Sequence, residues 1–472
     1  MIAILAICIG PVQDPDFWWH IRIGQWMAEH GRLPSTDIFT YTVPQHVWTD
    51  HEYLTELGMW VVYHAFGALG ISIAFGLVTW AGFLLLYRQV RRQPYVIAAL
   101  GLGLAALAGY PIWGPRAQMI TFALTILELY WLQAYLTGRS KKLTYFPLLM
   151  ALWANLHGGW VIGFVWLGVA LIAELIGWAW DPANLAHRAH VRFLAIITAA
   201  SAVAVLATPH GFSVYLYPFQ TVGSMAQERL IIEWFSPDFH QSFLHAFELM
   251  VFAVIAGFAL RRPSVYEFLL VAVSLALALQ SVRNVALFVA ASTPVMIASY
   301  SEYWKQLSAA RGWKPKVPPR PIFAAVTALA LLIFTGAATL RVATLIGPDH
   351  QRSLDASNYP LGAADFLAAH PEIGMRMYNQ YGWGGYLANR FYPDPNRRVF
   401  IFGEAALMGD DLLNQYEDVQ TLRSNWQQVL ASYGVDYIVY NKGEALANVL
   451  ATQSTWKLVY QDSETVIFVR VQ

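Results

Sequence analysis

The chain is poor in cysteine. Its single Cys8 rules out an intrachain disulfide framework and any CxxC or zinc-spaced cysteine site. Charge is scarce as well: 13% of the residues are charged and 57% are hydrophobic, whereas a soluble protein carries about a quarter charged residues. The charges that remain balance at 30 basic and 30 acidic residues, so no general attraction to nucleic acid is implied. The sequence has no GxGxxG, no P-loop and no GxSxG, which removes dinucleotide, P-loop nucleotide and serine-hydrolase sites. Residues 1–12 are apolar but lack a basic start and a small-x-small cleavage site, so they are expected to stay as a short first span. No internal repeat and no low-complexity segment is visible.

What the sequence has is long apolar segments. They fall near 1–12, 69–87, 95–112, 117–137, 143–155, 160–178, 191–208, 246–260, 264–280, 284–300 and 320–347. A span needs about 20 apolar residues, and several of these are shorter. Lysine and arginine distribution tests the alternation. With the N-terminus placed inside, the inner loops hold Arg88, Arg91, Arg92, Arg139, Lys141, Lys142, Arg188, Arg192, Arg261, Arg262, Lys305, Arg311, Lys314, Lys316 and Arg320. The outer loops hold Arg22, Arg32, Arg116, Arg229 and Arg283, a ratio of fifteen to five. The expected architecture is an α-helical polytopic membrane protein of about eleven spans, followed by a C-terminal extracytoplasmic α/β domain. Residues 1–347 form the membrane domain, with a long first outer loop at 13–68, and 348–472 form the α/β domain. Within the latter, 375–379, 397–402, 436–441, 456–460 and 465–471 read as strands; 361–370, 384–391, 410–432 and 443–453 read as helices. The stretch 305–320 reads as a basic, proline-containing cytoplasmic linker.

On this topology the outer face collects the chemistry. Asp14-Pro15-Asp16 is the sharpest feature. Two carboxylates two residues apart at a membrane edge can bind a divalent cation such as Mg or Mn, or one can act as a general base. The same pattern suits a helix-ending Asp-Pro turn with solvated acids. Phe17-Trp18-Trp19 is an interfacial anchor that would hold the acids at headgroup depth. His20, Asp50, His51 and Glu52 share this loop; His51-Glu52 lacks the second histidine of HExxH because position 55 is Thr, so it points to substrate contact or to helix-start polarity. Arg116 and Arg283 are lone arginines at outer turns, suited to fork a phosphate or to snorkel to headgroups. Asn155 and His157, followed by Gly158-Gly159, and Asn284 beside Arg283 complete the candidate substrate-binding set. Tyr381 to Tyr386 (YGWGGY) suits either a sugar-stacking platform or a tight turn with packing aromatics.

The run DPDFWWHIRIGQWMAEHGRLPSTDIFTYT with the following WTDHEYL resembles the first extracytoplasmic loop of bacterial GT-C membrane glycosyltransferases related to the protein O-mannosyltransferase and RgtA/B/C/D-like groups. WANLHGG, EWFSPDFH, SVRNVALF and YNQYGWGGYL are similar to the uncharacterised branch of that superfamily. The resemblance implies a multi-pass protein of the bacterial inner membrane with its active site outside. It implies a polyprenyl-phosphate-linked sugar donor, a lipid, glycan or protein acceptor, and inverting transfer of a hexosyl or pentosyl group. An acid of the first loop is the base, matching Asp14 or Asp16, and some members bind a divalent metal. Two other classes suit the composition, a transporter and a non-catalytic subunit of a membrane complex. A transporter is expected to place its polar groups at the bilayer midplane on repeated, broken helices.

Overall fold

The computed structural model describes residues 1–313 and 320–471. Lys314 and Lys316, counted above in the basic linker, lie outside the described residues. Every expected apolar segment is helical. Among the described residues, seven helices are long and apolar enough to cross a membrane: Tyr53–Val90, Gln118–Leu136, Gly158–Trp180, Leu185–Val205, Ser242–Leu260, Val282–Ala310 and Thr327–Leu345. The other four segments are shorter: Ile2–Cys8, Tyr95–Ala108, Phe146–Leu156 and Val265–Gln280. The Tyr53–Val90 helix is two helical pieces that meet at a kink at Gly67, whose φ of 62° and ψ of -160° are not helical and suit a residue without a side chain. The kink falls just before the apolar segment expected from residue 69.

The chain divides into two compact units. The first comprises Met1–Pro11, Ser72–Gly211 and Glu233–Gly347. Its helices start where short polar side chains can cap them. Ser264 accepts from the Glu267 backbone (3.2 Å) while the Glu267 carboxylate accepts from the Ser264 backbone (2.8 Å), a reciprocal capping box. Asn184 caps Leu185–Val205 by accepting from Ala186 N at 3.1 Å. The Val282–Ala310 helix is the most enclosed of the unit's long helices, whereas Thr327–Leu345 presents Leu329, Leu331, Leu332, Ile333 and Phe334 outward, as a lipid-facing helix does.

The second unit comprises Val12–Ile71, Phe212–Ile232 and Pro348–Gln472. Its sheet has the order β1-β2-β4-β3, with β1 at Met377–Asn379, β2 at Tyr437–Asn441, β3 at Trp456–Gln461 and β4 at Thr465–Arg470. β1 runs parallel to β2 with Met377 opposite Tyr437, and β4 runs antiparallel to both β2 and β3. The central β2 is a continuous buried apolar run from Tyr437 to Tyr440, because both of its faces are covered. One hydrophobic core joins all three chain segments, with Trp19, Phe39 and Trp48 packing on Phe402 and with Ala226 in the same cluster.

Two expected elements differ. Residues 397–402 are not a strand of the sheet: Arg397 ends a short 3-10 helix, Pro395–Arg397, and 398–402 follow it outside the sheet. Phe400 N donates to the Asn379 side-chain oxygen (2.8 Å), and Asn379 Nδ2 donates to Ile401 O (2.9 Å). The backbone of Val399 pairs instead with Phe39 and Tyr41 of the first loop. The expected helix at 410–432 is two helices, Asp410–Gln420 and Trp426–Ser432, broken where Leu422 takes a left-handed φ of 57°.

Candidate active site

The second unit gathers acids and histidines from distant parts of the chain. Asp16 sits at the start of the Phe17–His30 helix, where the backbone leaves donors unpaired and favours a carboxylate. The Asp16 backbone N donates to Asp14 Oδ1 (3.0 Å), and Trp19 Nε1 donates to Asp16 Oδ1 (3.1 Å). The second acidic strip, Asp50-His51-Glu52, leads into the Tyr53–Val90 helix, with Asp50 Oδ1 accepting from Glu52 N at 3.1 Å. One helical turn links the two strips: His20 Nδ1 lies 2.8 Å from Glu56 Oε1. The helices approach so closely that a Cβ at Gly24 would overlap the Glu56 carbonyl. His51 Nε2 lies 2.9 Å from Glu52 Oε1, and its ring stacks on Tyr217 at 3.8 Å.

Sequence reasoning missed the third contributor. Gly403 packs on Asp16, and the next residue, Glu404, is a buried carboxyl. Burial pushes the Glu404 carboxyl up to about 7, with Glu52 and Asp50 adding to the rise and His51 opposing it. Burial also raises Asp50, and its side-chain hydrogen bond to Glu56 opposes the rise. His20 is pushed down by burial against the pull of Glu52, Asp14 and Asp50. Burial pulls His51 down too, but Glu52 and then Glu404 outweigh it and raise it. The group thus sets a raised carboxyl, Glu404, beside a raised histidine, His51, the kind of perturbed pair on which general acid–base chemistry draws. Glu404 ends the apolar run IFGE as a lone glutamate, which by itself marks no site.

Asp14, Asp16, His20, His51 and Glu52 thus lie in one unit. Arg116, Asn155, His157, Arg283 and Asn284 lie in the other. There Arg116 pairs with Glu233, and Arg283 lies over the adjacent Trp234 ring at 5.0 Å, so residues 233–234 hold both arginines. Asn155 Nδ2 donates to Ala151 O (2.6 Å) and Ala207 O (2.9 Å). His157 Nδ1 accepts from Gly159 N (2.9 Å) and meets Thr121 Oγ1 at 2.7 Å; a Cβ on Gly159 would crowd both side chains. Asn284 Nδ2 donates to Leu277 O at 3.2 Å. In the 381–386 turn, Trp383 and Tyr386 are core residues, and a Cβ at Gly384 would overlap the Ile401 carbonyl, so this turn packs. Among the described residues, no three His, Cys, Asp or Glu side chains are grouped to hold a metal ion.

No family model and no curated protein matches the chain. Solved structures do. The archaeal oligosaccharyltransferase AglB from Archaeoglobus fulgidus, in complex with an inhibitory peptide and a dolichol-phosphate, is similar over 100% of this chain and 73% of its own, at 14% identity and a TM-score of 0.51. ArnT from Cupriavidus metallidurans in the apo state is similar over 100% of this chain and 96% of its own, also at 14% identity and 0.51. Likeness at this identity is likeness of fold: the chain is a polytopic membrane protein with the GT-C fold that AglB and ArnT share.

Proposed function

We propose that the protein is a membrane glycosyltransferase that moves a sugar from a polyprenyl-phosphate-linked donor to an acceptor hydroxyl outside the cytoplasmic membrane of a bacterium, with inversion at the anomeric carbon. The observation that carries this reading is the acid–histidine group around Asp14 and Asp16, built on the GT-C fold. AglB, which shares that fold, is an oligosaccharyltransferase with dolichol-phosphate in its complex. The charge alternation supports an N-terminus inside and a first loop outside.

In this mechanism Asp16, or Asp14 beside it, takes the proton of the acceptor hydroxyl. The oxygen attacks the anomeric carbon from the face opposite the phosphate. The bond from carbon to phosphate oxygen breaks, and the polyprenyl phosphate leaves with the electron pair. A phosphate is already a good leaving group, so no general acid is needed. His20, His51 and Glu52 line the substrate, while Asn155, His157 and Asn284 shape the turns. A Mg or Mn ion arriving with the donor phosphate would be held by Asp14 and Asp16, since such an ion takes one or two carboxylates and keeps several waters. It would polarise the phosphate.

The test is transfer in proteoliposomes from a radiolabelled polyprenyl-phosphate sugar to an extract of envelope lipids and glycans, with the anomeric configuration of the product read by NMR. Transfer with the opposite anomer is expected. Retention of configuration removes the single-displacement mechanism, and absence of transfer from every polyprenyl-phosphate sugar removes the activity.

A further inference from the structure

The second unit contains a cavity of about 640 Å³, within the size range of small-molecule sites. Three chain segments wall it: 45–49 of the first loop, 217–227 of the second, and 404–410 of the C-terminal part. The walls are tied to one another. Ser224 Oγ donates to Asp410 Oδ1 at 2.6 Å, and His46 Nδ1 lies 2.8 Å from Leu407 O. Arg229 Nη2 donates to Asn414 Oδ1 at 2.7 Å and bridges to Glu417. The C-terminal wall is therefore bonded to each of the other two.

Its chemistry is mixed in a specific way. Trp48 and Tyr217 supply aromatic surface inside, and Phe219, 79% exposed, stands at the rim. Between them lie Gln45, Gln220 and Gln227, with the Glu404 carboxyl, 6% exposed, at the inner end. Aromatic faces take the C–H faces of a sugar ring, and amides and carboxylates take its hydroxyls. Val47, Val222 and Leu407 add apolar surface to the lining, interrupted by the amides and by Glu404 and Asp410. An inorganic anion would need cations, and no lysine or arginine lines this space. Glu404, which lines the cavity, follows Gly403, and Gly403 packs on the acid proposed as base, Asp16.

We infer that this cavity is the acceptor subsite and takes a carbohydrate, with Glu404 accepting the hydrogen bond of an acceptor hydroxyl and Phe219 stacking on a sugar ring. The inference rests on the transferase reading. It makes the acceptor a glycan, or a lipid or protein already bearing one. Glu404 thereby acts as a specificity residue that no first-loop motif contains.

The test uses the full chain in nanodiscs and needs no donor. Saturation-transfer NMR is recorded with methyl α-mannopyranoside, galactose, N-acetylglucosamine, lactose and maltose, and with the peptide Ala-Ser-Ala as a contrasting probe. At least one saccharide is expected to receive saturation, strongest at its C–H protons. Its affinity is expected to fall about tenfold in Phe219→Ala, the equivalent of one aromatic contact, and again in Glu404→Gln. Phe219 is at the surface, so its variant stays folded even where Glu404→Gln does not. The inference is overturned if no saccharide binds the wild type, if binding survives Phe219→Ala, or if the peptide binds in the saccharides' place. Saccharide binding without sugar transfer removes the transferase reading and leaves the cavity; transfer without saccharide binding does the reverse.

Discussion

Gly403 stands against the carboxylate of Asp16, with no room for a Cβ between them. The glycine is a steric requirement for the position of the acid. Gly403→Ala is expected to push Asp16 aside and to lower transfer about a hundredfold, the cost of misplacing a reacting group by about an ångström. Gly382→Ala, where a Cβ meets open space, is the control and is expected to leave transfer unchanged. Parallel rate measurements on the two variants check this.

The bond from His20 to Glu56 joins the Phe17–His30 helix to the Tyr53–Val90 helix, with Glu56 buried and His20 half-buried. Removing His20 takes one hydrogen-bond partner from the buried Glu56 carboxyl, which keeps its bond to Asp50. His20→Leu is therefore expected to cost about 2 kcal/mol of stability, measured as a fall in the midpoint of thermal unfolding in detergent. His20→Asn, which keeps a donor, is expected to cost less.

The Glu404 carboxyl titrates at about 7 in the folded protein, raised by burial from 4.5. A raised acid binds more protons folded than unfolded, so its contribution is fully present below pH 4.5 and is lost as pH rises through 7. Glu404→Gln, which stays neutral, is expected to match the wild type near pH 4.5. Above pH 8 it is expected to be more stable by roughly 2–3 kcal/mol. Thermal midpoints across that range decide it; a variant less stable than wild type at pH 8 contradicts the assignment.

Glu128 is buried inside the Gln118–Leu136 helix, and neither carboxyl oxygen has a hydrogen-bond partner among the described residues. Replacing such a group with an apolar one of similar size removes a desolvation cost. Glu128→Leu is expected to raise the thermal midpoint by a few degrees, corresponding to about 1–3 kcal/mol. A lowered midpoint would show that the carboxyl has a role in the fold.

The helices were legible because each carries its own apolar run, and the strands of the C-terminal part because they alternate with turn residues. The acids and histidines of the first loop were legible because they interrupt apolar sequence at close spacing. Glu404 was not: it lies some 388 positions from Asp16, and a lone glutamate carries no local signal. Its place depends on Val399 pairing with Phe39 and Tyr41, a contact that pattern cannot register. The same contact explains why RRVFIF reads as a strand yet joins no sheet. The break at Leu422 was hidden because leucine rarely takes a left-handed φ. The joining of Arg116 and Arg283 through Glu233 and Trp234 was likewise invisible, since each arginine is isolated in sequence.

The central claim is that a first-loop aspartate takes the acceptor proton. The measurement that tests it most directly is the rate of transfer from a labelled polyprenyl-phosphate sugar by Asp14→Asn, Asp16→Asn and the double variant, each reconstituted at equal amounts with its fold checked by thermal midpoint. One single variant is expected to lose at least about a hundredfold in rate, the scale of general-base catalysis, and the double variant to be inactive. Full activity in the double variant would contradict the account.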